Sequence, residues 1–149
     1  MSMGVVTGVA TAPLSAGAVI WTVTTTLAAQ LPDIDHPNSR LGRALGPLAK
    51  VISKLCGGHR GLTHSLIGLL IFYYLADLFT PLPIAVTLGA ATHLLGDLMT
   101  ERGIPIFWPI KKRFRIASFN TNSKVEKRLI FPLTILAGLA VAVYRVSSL

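Results

Sequence analysis

The sequence predicts an all-α integral membrane protein: a four-helix bundle with an interfacial amphipathic segment. Three observations predict it. Apolar types make up 52% of the 149 residues and charged types only 13%, against roughly a quarter charged in soluble domains. The apolar residues gather into four segments separated by proline, glycine and basic stretches. The net charge of +8 is concentrated in two connecting segments, which hold 13 of the 14 Lys and Arg residues.

The first segment, about 3–31, has no charged residue up to Pro32 and is long enough for a span of about 20 residues. It lacks the positive start of a signal peptide, so it reads as a retained helix. The second, 62–79, and the third, about 82–99, read as spans with polar ends. Thr80-Pro81-Leu82-Pro83 between them is a short breaker that makes them antiparallel neighbours. The fourth, 129–146, carries Arg145 near its end, which can snorkel to the interface. Basic loops face the cytoplasm by the positive-inside rule. The expectation is therefore a multi-pass protein of a bacterial or archaeal inner membrane, N-terminus outside, in one domain over 1–149.

Leu41, Leu45, Leu48, Ile52 and Leu55 recur at spacings of 4, 3, 4 and 3, one face of a helix, with Pro47 dividing it. The segment reads as lying on the inner membrane surface or capping the bundle. The apolar stretch 104–110 is too short and too proline-broken to span, and is expected to dip into the interface with Trp108 at headgroup depth. Anionic lipid headgroups are the expected partner of the basic blocks, with nucleic acid disfavoured and a homodimer open. The single cysteine, Cys56, excludes an intramolecular disulfide framework.

The polar residues carry the chemistry. Asp33, Asp35 and His36 fall at the end of the first segment. His59, Arg60 and His64 fall at the start of the second. His93, Asp97 and Glu101 fall at the end of the third, and Glu126 just precedes the fourth. Every histidine, and every acid except Asp77, is thus assigned to one membrane face. His93, Asp97 and Glu101 are four apart, which places them on one helical face. Histidine and carboxylate form the ligand set of zinc, manganese or iron. Such groups near lipid are costly unless paired or metal-bound.

Taken singly, each residue has an ordinary structural use. Asp33 can cap a turn, and His64 can be a satisfied interface histidine. His93 follows a small-residue stretch suited to close helix packing. Asp97 can pair with Arg60 or Arg102. Their joint placement at one depth is what favours a metal site.

Leu31-Pro32-Asp33-Ile34-Asp35-His36-Pro37, Gly58-His59-Arg60-Gly61-Leu62-Thr63-His64-Ser65 and His93-Leu94-Leu95-Gly96-Asp97 resemble, in order, the signature blocks of the YdjM family. Gly103 to Pro109, Arg113-Phe114-Arg115 and Glu126 match as well. The resemblance implies a LexA-regulated, membrane-bound, metal-dependent hydrolase. That family is in turn distantly similar to zinc-dependent phospholipase C. Carried over, the pattern implies Asp33 or Asp35, His59 or His64, His93 and Asp97 as ligands. No histidine precedes His36, so the residues support one metal or two rather than three.

The expected function is metal-assisted hydrolysis of a phosphoester or lipid headgroup. Asp35, His64, His93 and Asp97 are the core ligands, and Asp33 and His59 further ligands or supports. Glu126 or Glu101 orients the water or acts as base, and Arg60 with Arg113 and Arg115 holds phosphate oxygens. The rivals are a structural or sensory metal without turnover, and a transporter component.

Overall fold

A computed structural model describes Gly4 and residues 17–116. Among those residues the chain forms five α-helices, two 3-10 turns and one isolated antiparallel bridge. The helices are α1 (Ala18–Ala28), α2 (Arg40–Leu45), α3 (Pro47–Leu55), α4 (Leu66–Phe79) and α5 (Pro83–Leu98). The 3-10 turns are Leu31–Asp35 and Leu62–His64.

The all-α expectation agrees with this architecture, and the spanning expectation does not. The segments 62–79 and 82–99 contain helices of only 14 and 16 residues. Among the described residues no helix is long and apolar enough to cross a membrane. The cause is local. Ser65 is extended, and its hydroxyl accepts from Gly68 N, so α4 starts there rather than at Leu62. Pro83 starts α5, and the helix closes at Met99. Residues that hydropathy assigned to span ends build turns instead. Of the first segment, α1 is the one helix with stated bounds among the described residues. The fourth segment, 129–146, lies outside them.

The helix α5 packs against both α1 and α4. Its contact with α1 is a seam of small residues: Thr25, Ala28, Ala85 and Ala90 are all buried. Gly89 makes the approach possible. A Cβ there would lie 2.2 Å from the Thr25 carbonyl oxygen and 2.9 Å from the Ala28 Cβ. On its outer side, α4 exposes Leu70, Tyr74, Leu78 and Phe79, the last by 84%. Apolar surface of this extent marks contact with lipid or another protein.

The amphipathic stretch is divided in two, as Pro47 implied, with Gly46 at φ 57 between α2 and α3. Ala49 is fully buried, and α3 packs on the Leu31–Asp35 turn, while Leu48, Val51 and Leu55 face outward beside Lys50 and Lys54. The stretch 104–110 is anchored at its start, while Phe107 and Ile110 stay exposed. Ile104 is fully buried against Leu94 and Leu98, and it exchanges both backbone hydrogen bonds with Phe114. Leu66 N donates to the Ile106 carbonyl, tying this stretch to the start of α4.

Candidate metal centre

Pro32 opens the 3-10 turn that carries Asp33 and Asp35. Ser39 holds that turn in place. Its hydroxyl donates to the Asp33 carbonyl at 2.8 Å and accepts from Gly42 N at 2.8 Å, capping α2 at the same time. His59 and Arg60 sit in a loop of left-handed residues, with Gly57, Gly58 and Arg60 all at positive φ. His64 ends the second 3-10 turn and is fully buried. His93 lies on α5, one turn beyond Gly89, where the seam brings the last residues of α1 against it.

Hydrogen bonds fix the direction of both inner imidazoles. His93 Nδ1 lies 2.8 Å from the Ala29 carbonyl oxygen, which can only accept, so Nδ1 carries the proton and Nε2 the lone pair. His64 is fixed by a longer chain. Burial raises the Asp35 pKa, but hydrogen bonds from His59, His64 and Thr63 outweigh it and hold the carboxyl well below the usual range. An ionised carboxylate only accepts. Thr63 therefore gives its hydroxyl proton to Asp35 Oδ2, and its oxygen accepts from His64 Nδ1 at 3.0 Å. His59 Nδ1 donates to the other Asp35 oxygen at 2.9 Å. The lone pair of His64 is thereby placed on Nε2.

The two Nε2 atoms and two carboxylates converge. His64 Nε2 lies 3.3 Å from Asp97 Oδ2 and 3.8 Å from Asp33 Oδ1. His93 Nε2 lies 3.5 Å from Asp33 Oδ1 and 3.7 Å from Asp97 Oδ2. In tetrahedral coordination with bonds near 2.0–2.1 Å, ligand atoms stand roughly 3.3–3.5 Å apart. Among the described residues, His64 Nε2 is a buried polar atom with no hydrogen-bond partner. Two imidazole nitrogens and two carboxylate oxygens thus lie near one another, an arrangement that a cation can bridge. Burial lowers the His64 pKa, and Asp35 and Asp97 reverse the net direction to a rise. Asp33, His64 and His93 lie close enough together to hold a divalent ion, and Asp97 Oδ2 stands beside both imidazoles as a further candidate ligand. The side chain of Asp33 is 34% exposed and marks the open side.

A second group, Asp35, His59 and His64, is also close enough to hold an ion. Its members already satisfy one another through Thr63, so its geometry is that of a support beneath the first group.

Of the two expected aspartates, Asp33 stands beside both Nε2 atoms, and Asp35 meets His59, Thr63 and the Nδ1 side of His64. Arg60 is engaged with the end of α5. Its Nη2 donates to Asp97 Oδ1 at 2.7 Å and its Nη1 to Thr100 Oγ1 at 3.1 Å. Glu101 does not share the face of His93 and Asp97, because α5 ends at Leu98 and Glu101 lies exposed in the turn beyond it. Glu126 lies outside the described residues. The sequence reading missed Thr63, Ser39 and Ala29. The first two are hydroxyl residues beside ligand positions, a weak signal. Ala29 acts through its backbone and leaves none.

The family described as YdjM inner membrane protein matches residues 1–148. The inner membrane protein YdjM of Escherichia coli (strain K12) is 40% identical over 96 residues, covering 58% of this chain and 47% of that protein. The chain thus spans about half the length of that curated relative. The uncharacterized protein YvsG of Bacillus subtilis (strain 168) is 33% identical over 117 residues, covering 76% of this chain and 69% of that protein. No solved structure matches. The names of the family and of the Escherichia coli relative support a membrane location, and the chain belongs to the YdjM family of inner membrane proteins.

Proposed function

We propose that this chain is a membrane-associated, metal-dependent hydrolase acting on a phosphoester, with a lipid headgroup as the substrate class. The observation that carries the reading is the convergence of the His64 and His93 Nε2 lone pairs on the carboxylates of Asp33 and Asp97. When bound, a divalent ion (zinc by its ligand set, with manganese or iron as alternatives) supplies Lewis acidity and a water of lowered pKa. The chain's own residues do the rest. Asp35, Thr63 and His59 keep His64 in the correct tautomer, as partners behind a ligand do in metal enzymes. Partly exposed Asp33 lines the side from which water and substrate reach the centre. Glu126 is proposed as the base, and Arg113 and Arg115 as phosphate-holding groups, on sequence grounds. The likeness to zinc-dependent phospholipase C rests on the motifs alone.

A structural or sensory metal is the second reading, favoured by the count of four protein ligands, which can close a tetrahedron. A transport path is not favoured: the ligand residues gather at the end of α1, the start of α4 and the end of α5 rather than along the helices.

Elemental analysis of full-length protein purified in detergent, without chelator, tests the site. About one metal per chain is expected, lost in His93→Ala and Asp33→Asn. The same preparations, tested on phosphodiesters and phospholipids, separate the two readings. Hydrolysis that disappears in His93→Ala supports the enzyme, and hydrolysis that persists there overturns it. Metal without hydrolysis on either class supports the structural reading.

A further inference from the structure

We propose that Arg60 is a positioning residue of the metal centre: it grips one oxygen of Asp97 and so turns the other toward the two imidazoles. The inference rests on the metal reading above and assigns a job that the ligands cannot do for themselves. The spacing of His93 and Asp97 puts both side chains on one face of α5. It does not decide which carboxylate oxygen points inward.

The geometry decides it. Arg60 Nη2 donates to Asp97 Oδ1 at 2.7 Å, and Nη1 donates to Thr100 Oγ1 at 3.1 Å. Thr100 in turn donates its hydroxyl to the Asp97 carbonyl at 2.7 Å. The guanidinium is therefore fastened to the end of α5 at two points, one of them braced by the backbone of Asp97 itself. With Oδ1 occupied, Oδ2 is left 3.3 Å from His64 Nε2 and 3.7 Å from His93 Nε2. The Arg60 side chain is only 13% exposed, so it is held in place rather than sampling solvent.

The backbone gives an independent sign. Arg60 has φ 62 and is the one non-glycine residue at positive φ among the described residues. Gly57 and Gly58, just before it, hold the other positive φ angles of this loop. Left-handed backbone strongly favours glycine, and a side chain persists there where the surroundings require it. Here the requirement is the reach to Asp97. A planar two-pronged donor suits this task, and a lysine, with one point of charge, does not reproduce it.

The test uses full-length protein in detergent. Zinc affinity is measured by competition with a chromophoric chelator, and thermal unfolding is measured on the chelated protein. Arg60→Gly is expected to weaken zinc binding by about tenfold or more, the effect of losing a partner that orients a ligand. Its metal-free form is expected to melt lower than wild type, because Asp97 loses a nearly buried partner, so zinc affinity and not the melt decides the inference. Arg60→Lys is expected to bind zinc more weakly than wild type and more tightly than Arg60→Gly. Unchanged zinc affinity in Arg60→Gly overturns the inference, whether the variant melts lower (a purely structural arginine) or binds inorganic phosphate more weakly (a phosphate clamp). Should Arg60→Gly fail to fold, Arg60→Lys decides, and wild-type zinc affinity in it overturns the inference. Wild-type protein that binds no zinc removes the metal reading itself, and this inference with it.

Discussion

The hydroxyl of Thr63 carries one hydrogen, and its destination decides which nitrogen of His64 faces the pocket. Asp35 takes that hydrogen, so the oxygen is left to receive the proton of His64 Nδ1. Thr63→Val breaks the chain and frees the imidazole to flip or change tautomer. It should weaken zinc binding by about 10- to 100-fold, while Thr63→Ser stays near wild type. A competition titration of the two variants checks this. Cys56 gives a second prediction at this scale. Burial, and then the charge of Asp35, push its thiol pKa up. A thiol of this kind reacts slowly, because the thiolate is the nucleophile. Iodoacetamide at neutral pH should leave Cys56 unlabelled until the protein is unfolded. The ligand types were legible in the sequence, since His64, His93 and Asp97 stand at recognisable spacings. The choice between Asp33 and Asp35 was not. Both flank Ile34, and only the turn conformation separates them.

Among the elements, the seam between α1 and α5 does the positioning. It places the Ala29 carbonyl beside His93, and it exists because Gly89 has no Cβ to strike the Thr25 carbonyl. Gly89→Val should force the helices apart, destabilise the protein by about 1–3 kcal/mol or more, and weaken metal binding with it. Thermal melts and zinc titration of the one variant measure both effects. Ser39→Ala should act more mildly, by about 1 kcal/mol as expected for a lost cap, and the same melts report it. Apolar runs and prolines made the helices legible. Their lengths were not legible, because Ser65 and Met99 set the ends through hydrogen bonds that hydropathy does not weigh. Glu101 illustrates the error: the period of α5 was continued past the point where the helix stops.

At the scale of the whole molecule, the candidate ligands come from three separate places: the turn after α1, the turn before α4, and α5. A ligand that binds only the folded state adds stability by mass action, about 2.7 kcal/mol at a hundredfold excess over its dissociation constant. Chelation should therefore lower the melting temperature of the whole protein, and zinc should restore it. His93→Ala protein should show no such response in the same calorimetric scan. The exposed apolar surface of α4 and the family's membrane location agree with each other, and both were legible in composition. That no described helix can cross a bilayer was hidden, because polar ends and spans look alike when only hydropathy is averaged.

The five-residue turn Leu31–Asp35 has one more implication. A 3-10 turn advances about a third of a revolution per residue, so two acids separated by one isoleucine leave it on different bearings. One therefore faces the two inner imidazoles and the other the underside of His64. Removing Ile34 would rotate the phase of the pair, leaving one wall of the pocket without its carboxylate and His64 without its brace. Chain length in this turn, more than the identity of the intervening residue, sets which aspartate serves which purpose.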